Sequence, residues 1–372
     1  MKVLHLISGG DTGGAKTHVL SLLEGLNKDI TADLACFMEG EFSADAVSAG
    51  INVEIFDGGF MSALGGVSQK IAQGQYELVH CHGSRANLSG ALIKHKHPGV
   101  PFISTVHSDY RLDYLGRPMA KLIYGNLNAF SLRRMDALVC VSDSMKQTLA
   151  QRDFDAARMH TIYNGVDFAY EPSAVPRAEW LSSIGCDFAD DDIIVGIAAR
   201  LDPVKDVATL IRGFAEAAQS CPALRLLIAG DGQQAQSLRE LAQELGVGEK
   251  VFFAGWLKDV DSFYNTIDIN TICSLSETFP YAVTEAARMK LPTVSTNVGG
   301  IPMLIEHEQT GLLFEPGDAS ALATALSLLA QDKELRLRLG QNVYDKARRE
   351  FSLDATCRAQ LGIYSKLISG KE

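Results

Sequence analysis

Short apolar runs alternate with segments of helical spacing along the whole chain of 372 residues. In the first half the apolar runs predict strands at 3–8, 33–38, 52–56, 77–81, 102–106, 137–141 and 160–163. The pattern then restarts, with strands at 193–198, 225–229, 251–254, 268–273, 293–296 and 311–314. Between them, apolar positions recurring every three or four residues predict helices, such as 15–27, 84–95 and 118–134, then 206–220 and 233–245. Alternation of this kind predicts parallel sheets, because parallel neighbours need a long crossover that a helix supplies. The restart, and a length beyond one typical core, predict two Rossmann-like domains. The boundary falls within 164–192, which holds Pro172, Pro176 and the acidic run Asp190-Asp191-Asp192. Two further helical stretches, 319–350 and 353–368, close the chain. Ligands of such sheets sit beyond the carboxyl ends of the strands, so a cleft between two facing domains is the expected site.

Composition narrows the function classes. Apolar residues make up 47% and charged residues 21%, as in a soluble globular protein. A net charge of −11 argues against a nucleic-acid partner. An anionic ligand has to be held by local groups against that field. Seven scattered cysteines without a C-x-x-C pair read as buried thiols of a reducing compartment. The opening MKVLHLISGG reads as a first strand rather than a signal peptide, and no apolar run reaches bilayer length. A cytoplasmic location is the expectation.

The chemistry concentrates in SLSETFPYAVTEAARMKLPT, residues 274–293. Pro280 falls where a helix over 280–290 begins, a position where its missing N–H costs nothing. Glu277 then lies in the loop before the helix and Glu285 inside it. A helix start offers N–H groups and a positive dipole end to phosphate. Carboxylates accept hydrogen bonds and so suit hydroxyls. Together they point to a ligand carrying both phosphate and sugar hydroxyls; a surface Glu and a helix-facing Glu with no joint role is the plain alternative. Arg200 and Lys205 follow strand 193–198 in ARLDPVKD, as a guanidinium fork and a point charge that can converge on a diphosphate. Gly230-Asp231-Gly232 and Gly299-Gly300 add tight, backbone-permissive turns after neighbouring strands.

Three other features are weaker. The loop Gly9-Gly10-Asp11-Thr12-Gly13-Gly14-Ala15, followed by Lys16-Thr17, nearly forms a Walker A loop, but Ala15 stands where Gly is needed. His80 and His82 share one side of a strand and His107 ends another. A three-histidine metal site and core-satisfied histidines are both open readings. Asp190–Asp192 imitates a metal-binding DxD but precedes a strand, at the wrong end for a site.

In order and spacing, these motifs resemble a family 4 retaining glycosyltransferase with the GT-B fold. The parts are the 9–15 loop, VHCH at 79–82, TVH at 105–107, NGVD at 164–167, ARLDPVK at 199–205, GDG at 230–232, Glu277-x7-Glu285 and VGGIP at 298–302. The resemblance implies an N-terminal acceptor-binding domain over 1–170, with a last helix from about 352 to 372 packed back on it. A nucleotide-sugar-binding domain would cover 171–351. Arg200 and Lys205 would bind the diphosphate and stabilise the leaving nucleotide, and Glu285 would hold the ribose hydroxyls. Glu277 and His107 would contact the transferred sugar, aided by the backbone of Thr278, Phe279, Pro280 and Tyr281. Gly13, Gly14, Asn164 and Gly230 complete the implied substrate-binding set. The donor would be a nucleotide sugar, UDP favoured over GDP, and the acceptor a glycan or a lipid-linked hydroxyl. The resemblance implies no metal and no cofactor.

Met303 departs from the Glu common after GGIP, and Lys16 from a commoner acid after GGA, which affects acceptor or base preference. The rival readings are a non-catalytic nucleotide-sugar binder and a P-loop-like NTPase. Five cations between Arg111 and Met135 (Arg111, Arg117, Lys121, Arg133, Arg134) lie among Tyr114, Leu115, Met119, Leu122, Ile123, Tyr124 and Phe130, and Lys94–His97 adds a second cluster. A basic amphipathic segment can lie on an anionic leaflet, which makes peripheral membrane contact an expectation; a core-packed helix is its alternative.

Overall fold

The computed structural model describes residues 1–10, 14–111, 118–171 and 173–370, excepting the side chains of 118–124. Gly13, Tyr114, Leu115, Arg117 and Pro172 lie outside the described residues, as do the side chains of Met119, Lys121, Leu122, Ile123 and Tyr124. The chain forms two compact units. The first is Met1–Asp167 with Ser352–Glu372, and the second is Phe168–Phe351.

The first unit carries strands β1 (Lys2–Ile7), β2 (Thr31–Cys36), β3 (Val53–Ile55), β4 (Leu78–His82), β5 (Phe102–Val106), β6 (Ala137–Cys140) and β7 (Met159–Thr161). All pair in parallel in the order β3-β2-β1-β4-β5-β6-β7. Its helices are α1 (Gly14–Leu26), α2 (Glu41–Ser48), α3 (Phe60–Gly74), α4 (Gly83–Ile93), α5 (Pro118–Arg133) and α6 (Asp143–Ala150). The strands are continuous apolar runs because both faces are covered. Leu4, Leu6, Val79 and Phe102 serve one core cluster, while Val3, Ile7, Leu34 and Ile103 serve the other.

The second unit holds α7 (Arg177–Ser183), β8 (Ile193–Ala198), α8 (Val207–Ser220), β9 (Leu224–Ala229), α9 (Ala235–Glu244), β10 (Val251–Gly255) and α10 (Val260–Thr266). It continues with β11 (Ile269–Ile272), α11 (Tyr281–Arg288), β12 (Thr293–Thr296), α12 (Ile301–Leu304), β13 (Leu312–Phe314), α13 (Ala319–Gln331) and α14 (Lys333–Glu350). Its parallel sheet runs β10-β9-β8-β11-β12-β13. The last helix, α15 (Leu353–Ser369), belongs to the first unit, where Leu353, Cys357 and Tyr364 join the core beside Val19 and Leu23 of α1.

Both sheets reverse their direction of growth at one place, between β1 and β4 and between β8 and β11. Such switch points leave a crevice at the carboxyl ends of the strands. One expectation is corrected. Residues 319–350 are two helices, because Asp332 leaves helical geometry and its carboxylate accepts from Leu335 N–H, capping α14. Asp192 of the acidic run is buried and structural, taking an ion pair from Arg225 at 3.0 Å and the Ala189 N–H at 2.8 Å.

Candidate active site

In the second unit, four loops meet at the carboxyl ends of β8, β9, β11 and β12. Their approach is so close that side chains are excluded. Gly230, at φ +138°, would put a Cβ 1.8 Å from the Ala199 carbonyl oxygen. Gly299, at φ +56°, would put one 1.5 Å from the Glu277 carbonyl oxygen. Backbone bonds tie the loops further: Leu201 N–H donates to Asp231 O at 2.9 Å, and Leu275 N–H donates to Val204 O at 2.8 Å. The glycines of GDG and VGGIP thus serve loop packing first.

This frame carries the charged residues. Lys205 Nζ donates to Glu277 Oε1 at 2.6 Å, and Ser274 Oγ donates to the same oxygen at 2.6 Å. Arg200 stands apart, 65% exposed, beside Asp202 at 3.2 Å. The sequence assigned Lys205 and Glu277 to different parts of one ligand; the structure adds that they are partners. Ser274 was missed, although its place three residues before Glu277 in SLSE was visible.

Helix α11 begins at Tyr281, with Pro280 before it and no side chain capping it. Its first turn carries no acid, so the start keeps the positive end that suits an anion. The side chains of Phe279, Pro280 and Tyr281 are buried, and Phe279 packs on Phe351 at 5.1 Å. Burial leaves the backbone, not the side chains, as the exposed part of these three residues. Glu285 lies one turn in, on the same helix. Tyr264 Oη donates to Glu285 Oε2 at 3.2 Å. Burial raises the Glu285 carboxyl above its ordinary 4.5, while the Tyr264 hydrogen bond and the Arg288 charge pull the other way. Arg288 is itself paired with Asp261 at 2.7 Å. Tyr264 lies in the helix before β11 and gave no sequence signal of its own.

In the first unit four buried histidines and the partly buried His107 gather at the other switch point. His5 of β1 is in register with His80 of β4. His82 closes β4, His107 follows β5, and His18 lies on α1. A chain of contacts runs through them. Thr105 Oγ1 lies 2.7 Å from His80 Nε2, and His80 Nδ1 lies 2.6 Å from Tyr364 Oη. Tyr364 Oη lies 3.4 Å from His5 Nε2, and His5 Nδ1 lies 3.0 Å from His82 Nε2. His82 Nδ1 lies 3.2 Å from His107 Nε2. Burial holds these rings neutral, lowering His5 to about 3 and His18 to about 4. Burial and then neighbouring histidines hold His80, His82 and His107 well below the usual value. His5 and His18 were missed, although KVLHL and LVHCH place matching histidines on adjacent strands.

Asn164 is buried in the same unit, and its side chain hydrogen-bonds His18. Of the glycine loop, Gly9 at φ +99° would put a Cβ 2.2 Å from the Met38 carbonyl oxygen, so packing demands it. Gly14 opens α1. The P-loop reading fails at Lys16. Its ammonium is held by Asp45 at 2.5 Å and Glu41 at 3.1 Å, both on α2, so it is not extended toward a phosphate. The basic segment is partly spent internally. Arg133 donates to Arg152 O at 2.8 Å and lies over the buried Phe154 ring, and Lys94 pairs with Asp136 at 2.7 Å. Among the described residues no helix is long and apolar enough to cross a membrane.

Two parallel-sheet α/β units, each with polar side chains gathered at its switch point, make up the architecture of the GT-B fold. The Glycosyltransferase Family 4 profile matches residues 12–170, and Glycosyl transferases group 1 matches 186–346. The chain belongs to this group 1, family 4 type of glycosyltransferase. It is similar to the UDP-Gal:alpha-D-GlcNAc-diphosphoundecaprenol alpha-1,3-galactosyltransferase of Escherichia coli, at 26% identity over 79% of this chain and 76% of that one. It is equally 26% identical to the D-inositol 3-phosphate glycosyltransferase of Corynebacterium efficiens, over 96% of this chain and 91% of the relative. Among solved structures, Anabaena HepE in complex with UDP-glucose superposes with a TM-score of 0.85 over 98% of this chain and 100% of HepE, at 22% identity.

Proposed function

We propose that the protein transfers a sugar, with retention at the anomeric carbon, from a UDP-sugar to a hydroxyl of a glycan or lipid-linked acceptor in cell-surface glycan synthesis. The observation that carries this reading is the second unit's cluster. There Arg200, the Lys205–Glu277 pair and an uncapped start of α11 share one sheet edge, with Glu285 one turn further on. The cations and the helix start receive the diphosphate. Glu285 accepts from ribose hydroxyls. Glu277 and, from the first unit, His107 contact the transferred sugar. Gly13, Gly14 and Asn164 belong to the acceptor side. UDP is preferred as the carrier because the E. coli relative is named for UDP-Gal and HepE is described with UDP-glucose. The same relative's diphosphoundecaprenol acceptor supports a lipid-linked one here.

In this mechanism the bond from the anomeric carbon to the leaving phosphate oxygen breaks while the acceptor oxygen attacks the same face. Its proton passes to the leaving diphosphate. Charge grows on that diphosphate, and Arg200, Lys205 and the helix start are the groups assigned to offset it. Stabilisation of this kind is often the largest catalytic contribution. Binding of UDP is expected to survive excess EDTA. Calorimetry with and without chelator checks this; loss on chelation, restored by magnesium or manganese, contradicts the assignment.

The raised Glu285 carboxyl gives a second expected result. The folded state favours its protonated form, so stability falls as pH rises from the ordinary 4.5 toward the raised value. Glu285→Gln removes that penalty and weakens the acceptor. The variant is expected to melt higher than wild type at pH 7, with a smaller gain at pH 4, and to bind UDP roughly fivefold to tenfold more weakly. Thermal melts at both pH values, with UDP titrations, check it. Unchanged UDP affinity removes Glu285 from the ribose site.

A further inference from the structure

The histidine cluster of the first unit brings three ring nitrogens within ligating range of one another. His80 is satisfied on both nitrogens by Thr105 and Tyr364. His5 is satisfied by Tyr364 and His82. His18, His82 and His107 each put one ring nitrogen within 4.8 Å of the other two. His18 is only 3% exposed, and its Nε2 has no hydrogen-bond partner among the described residues. A buried polar atom in that state calls for a ligand. His82 Nδ1 and His107 Nε2, 3.2 Å apart, stand close to the roughly 3.3 Å that two nitrogens on one tetrahedral zinc take up. The third imidazole has to move by at most about 1.5 Å to join them.

We infer that His18, His82 and His107 form a binding site for a borderline transition cation of the zinc class. Three imidazoles without a carboxylate select such ions over magnesium or calcium, which take oxygen ligands. The shell behind His82 is in place. A ligating histidine donates its other N–H to a partner that fixes the tautomer. Here His82 Nε2–H donates to His5 Nδ1, and His5 Nε2–H donates to Tyr364 Oη. Tyr364 O–H then donates to His80 Nδ1, and His80 Nε2–H donates to Thr105 Oγ1. One direction of donation satisfies every member and leaves His82 Nδ1 as a lone pair facing His107. His107 is the least buried of the three, and a fourth position is left for water or a substrate hydroxyl. The site lies within the first unit, and the diphosphate reading concerns the second. It does not rest on that reading, and EDTA-resistant UDP binding is compatible with it.

The full-length protein, stripped with a strong chelator and dialysed, is titrated with Co(II) and then Zn(II). The expected result is one Co(II) per chain with a visible ligand-field band of low-symmetry coordination, displaced by one Zn(II). His18→Gln and His107→Gln are expected to weaken binding at least 100-fold. Tyr364→Phe, which keeps the ring and removes only the bridging hydroxyl, is expected to weaken it about tenfold. His95→Gln/His97→Gln, at the exposed basic cluster, is expected to change nothing. A folded protein without the band, equal affinity in His18→Gln, or loss in the His95/His97 variant each overturns the site. UDP calorimetry on the stripped protein is the separate readout for the donor site, and a failure there leaves the metal result standing.

Discussion

The double variant Arg200→Ala/Lys205→Ala is expected to lose about 10²- to 10⁴-fold in transfer rate. In the proposed mechanism each cation makes charge-assisted contacts to the leaving diphosphate worth roughly 1.5–3 kcal/mol, and both contacts strengthen as charge leaves the sugar. The two share one ligand, so the double loss should fall short of the product of the single ones. The structure also separates the singles by stability. Arg200 is 65% exposed beside Asp202, and a surface pair contributes about 0–1 kcal/mol, so Arg200→Ala should unfold like wild type. Lys205 is the ion-pair partner of Glu277, whose side chain is 11% exposed. Lys205→Ala leaves that carboxylate with Ser274 alone and should cost about 1–3 kcal/mol of folding stability. Adding Glu277→Gln to Lys205→Ala should restore the stability without restoring transfer. Urea unfolding and steady-state transfer on the same preparations check this. Normal turnover in a folded double variant removes both cations from the reaction.

Gly299→Ala is expected to be as damaging by a different route. The new methyl carbon would sit 1.5 Å from the Glu277 carbonyl oxygen, at a backbone φ of +56°. Neither atom belongs to a flexible side chain, so the 299 turn or the Glu277 loop has to move. Left-handed backbone costs about 1–2 kcal/mol for a residue with a Cβ, and forced overpacking about 1–3 kcal/mol more. A loss of roughly 2–5 kcal/mol is therefore expected in denaturant unfolding. Gly50→Ala isolates the backbone part, because Gly50 has φ +76° and open space where a Cβ would go. Any Gly299→Ala protein that still folds should transfer slowly, because a displacement near 1 Å at Glu277 costs about 10²-fold. Equal losses at positions 50 and 299, with activity intact, contradict the packing account.

The strand ladder was legible because both faces of each sheet are buried, which turns strands such as IIVGIA and LRLLIA into apolar runs. The break at Asp332 was not, because the flanking helices keep one apolar rhythm and only the cap separates them. In the donor cluster, Arg200, Lys205, Glu277 and Glu285 were legible as residue types at strand ends and at a helix start. Their pairing was not, because Lys205 and Glu277 come from loops 72 residues apart and meet only through the adjacency of β8 and β11. The same limit hid His5 and His18. A histidine in an apolar strand looks like a core residue until the register of β1 on β4 sets His5 beside His80. Tyr364 is further still, 284 residues from the His80 ring it touches, and only the return of α15 to the first unit brings them together.

The central claim is that this chain moves a sugar from a UDP-sugar to a hydroxyl acceptor. Incubation of the full-length protein with a panel of UDP- and GDP-sugars and lipid-linked or soluble acceptors, read by mass spectrometry, tests it most directly. The predicted result is release of UDP from one or a few UDP-sugars, matched by an acceptor heavier by one glycosyl unit and slowed at least about 100-fold in Arg200→Ala/Lys205→Ala. Turnover confined to GDP-sugars, or inorganic phosphate released from a nucleoside triphosphate with no glycosylated product, contradicts it.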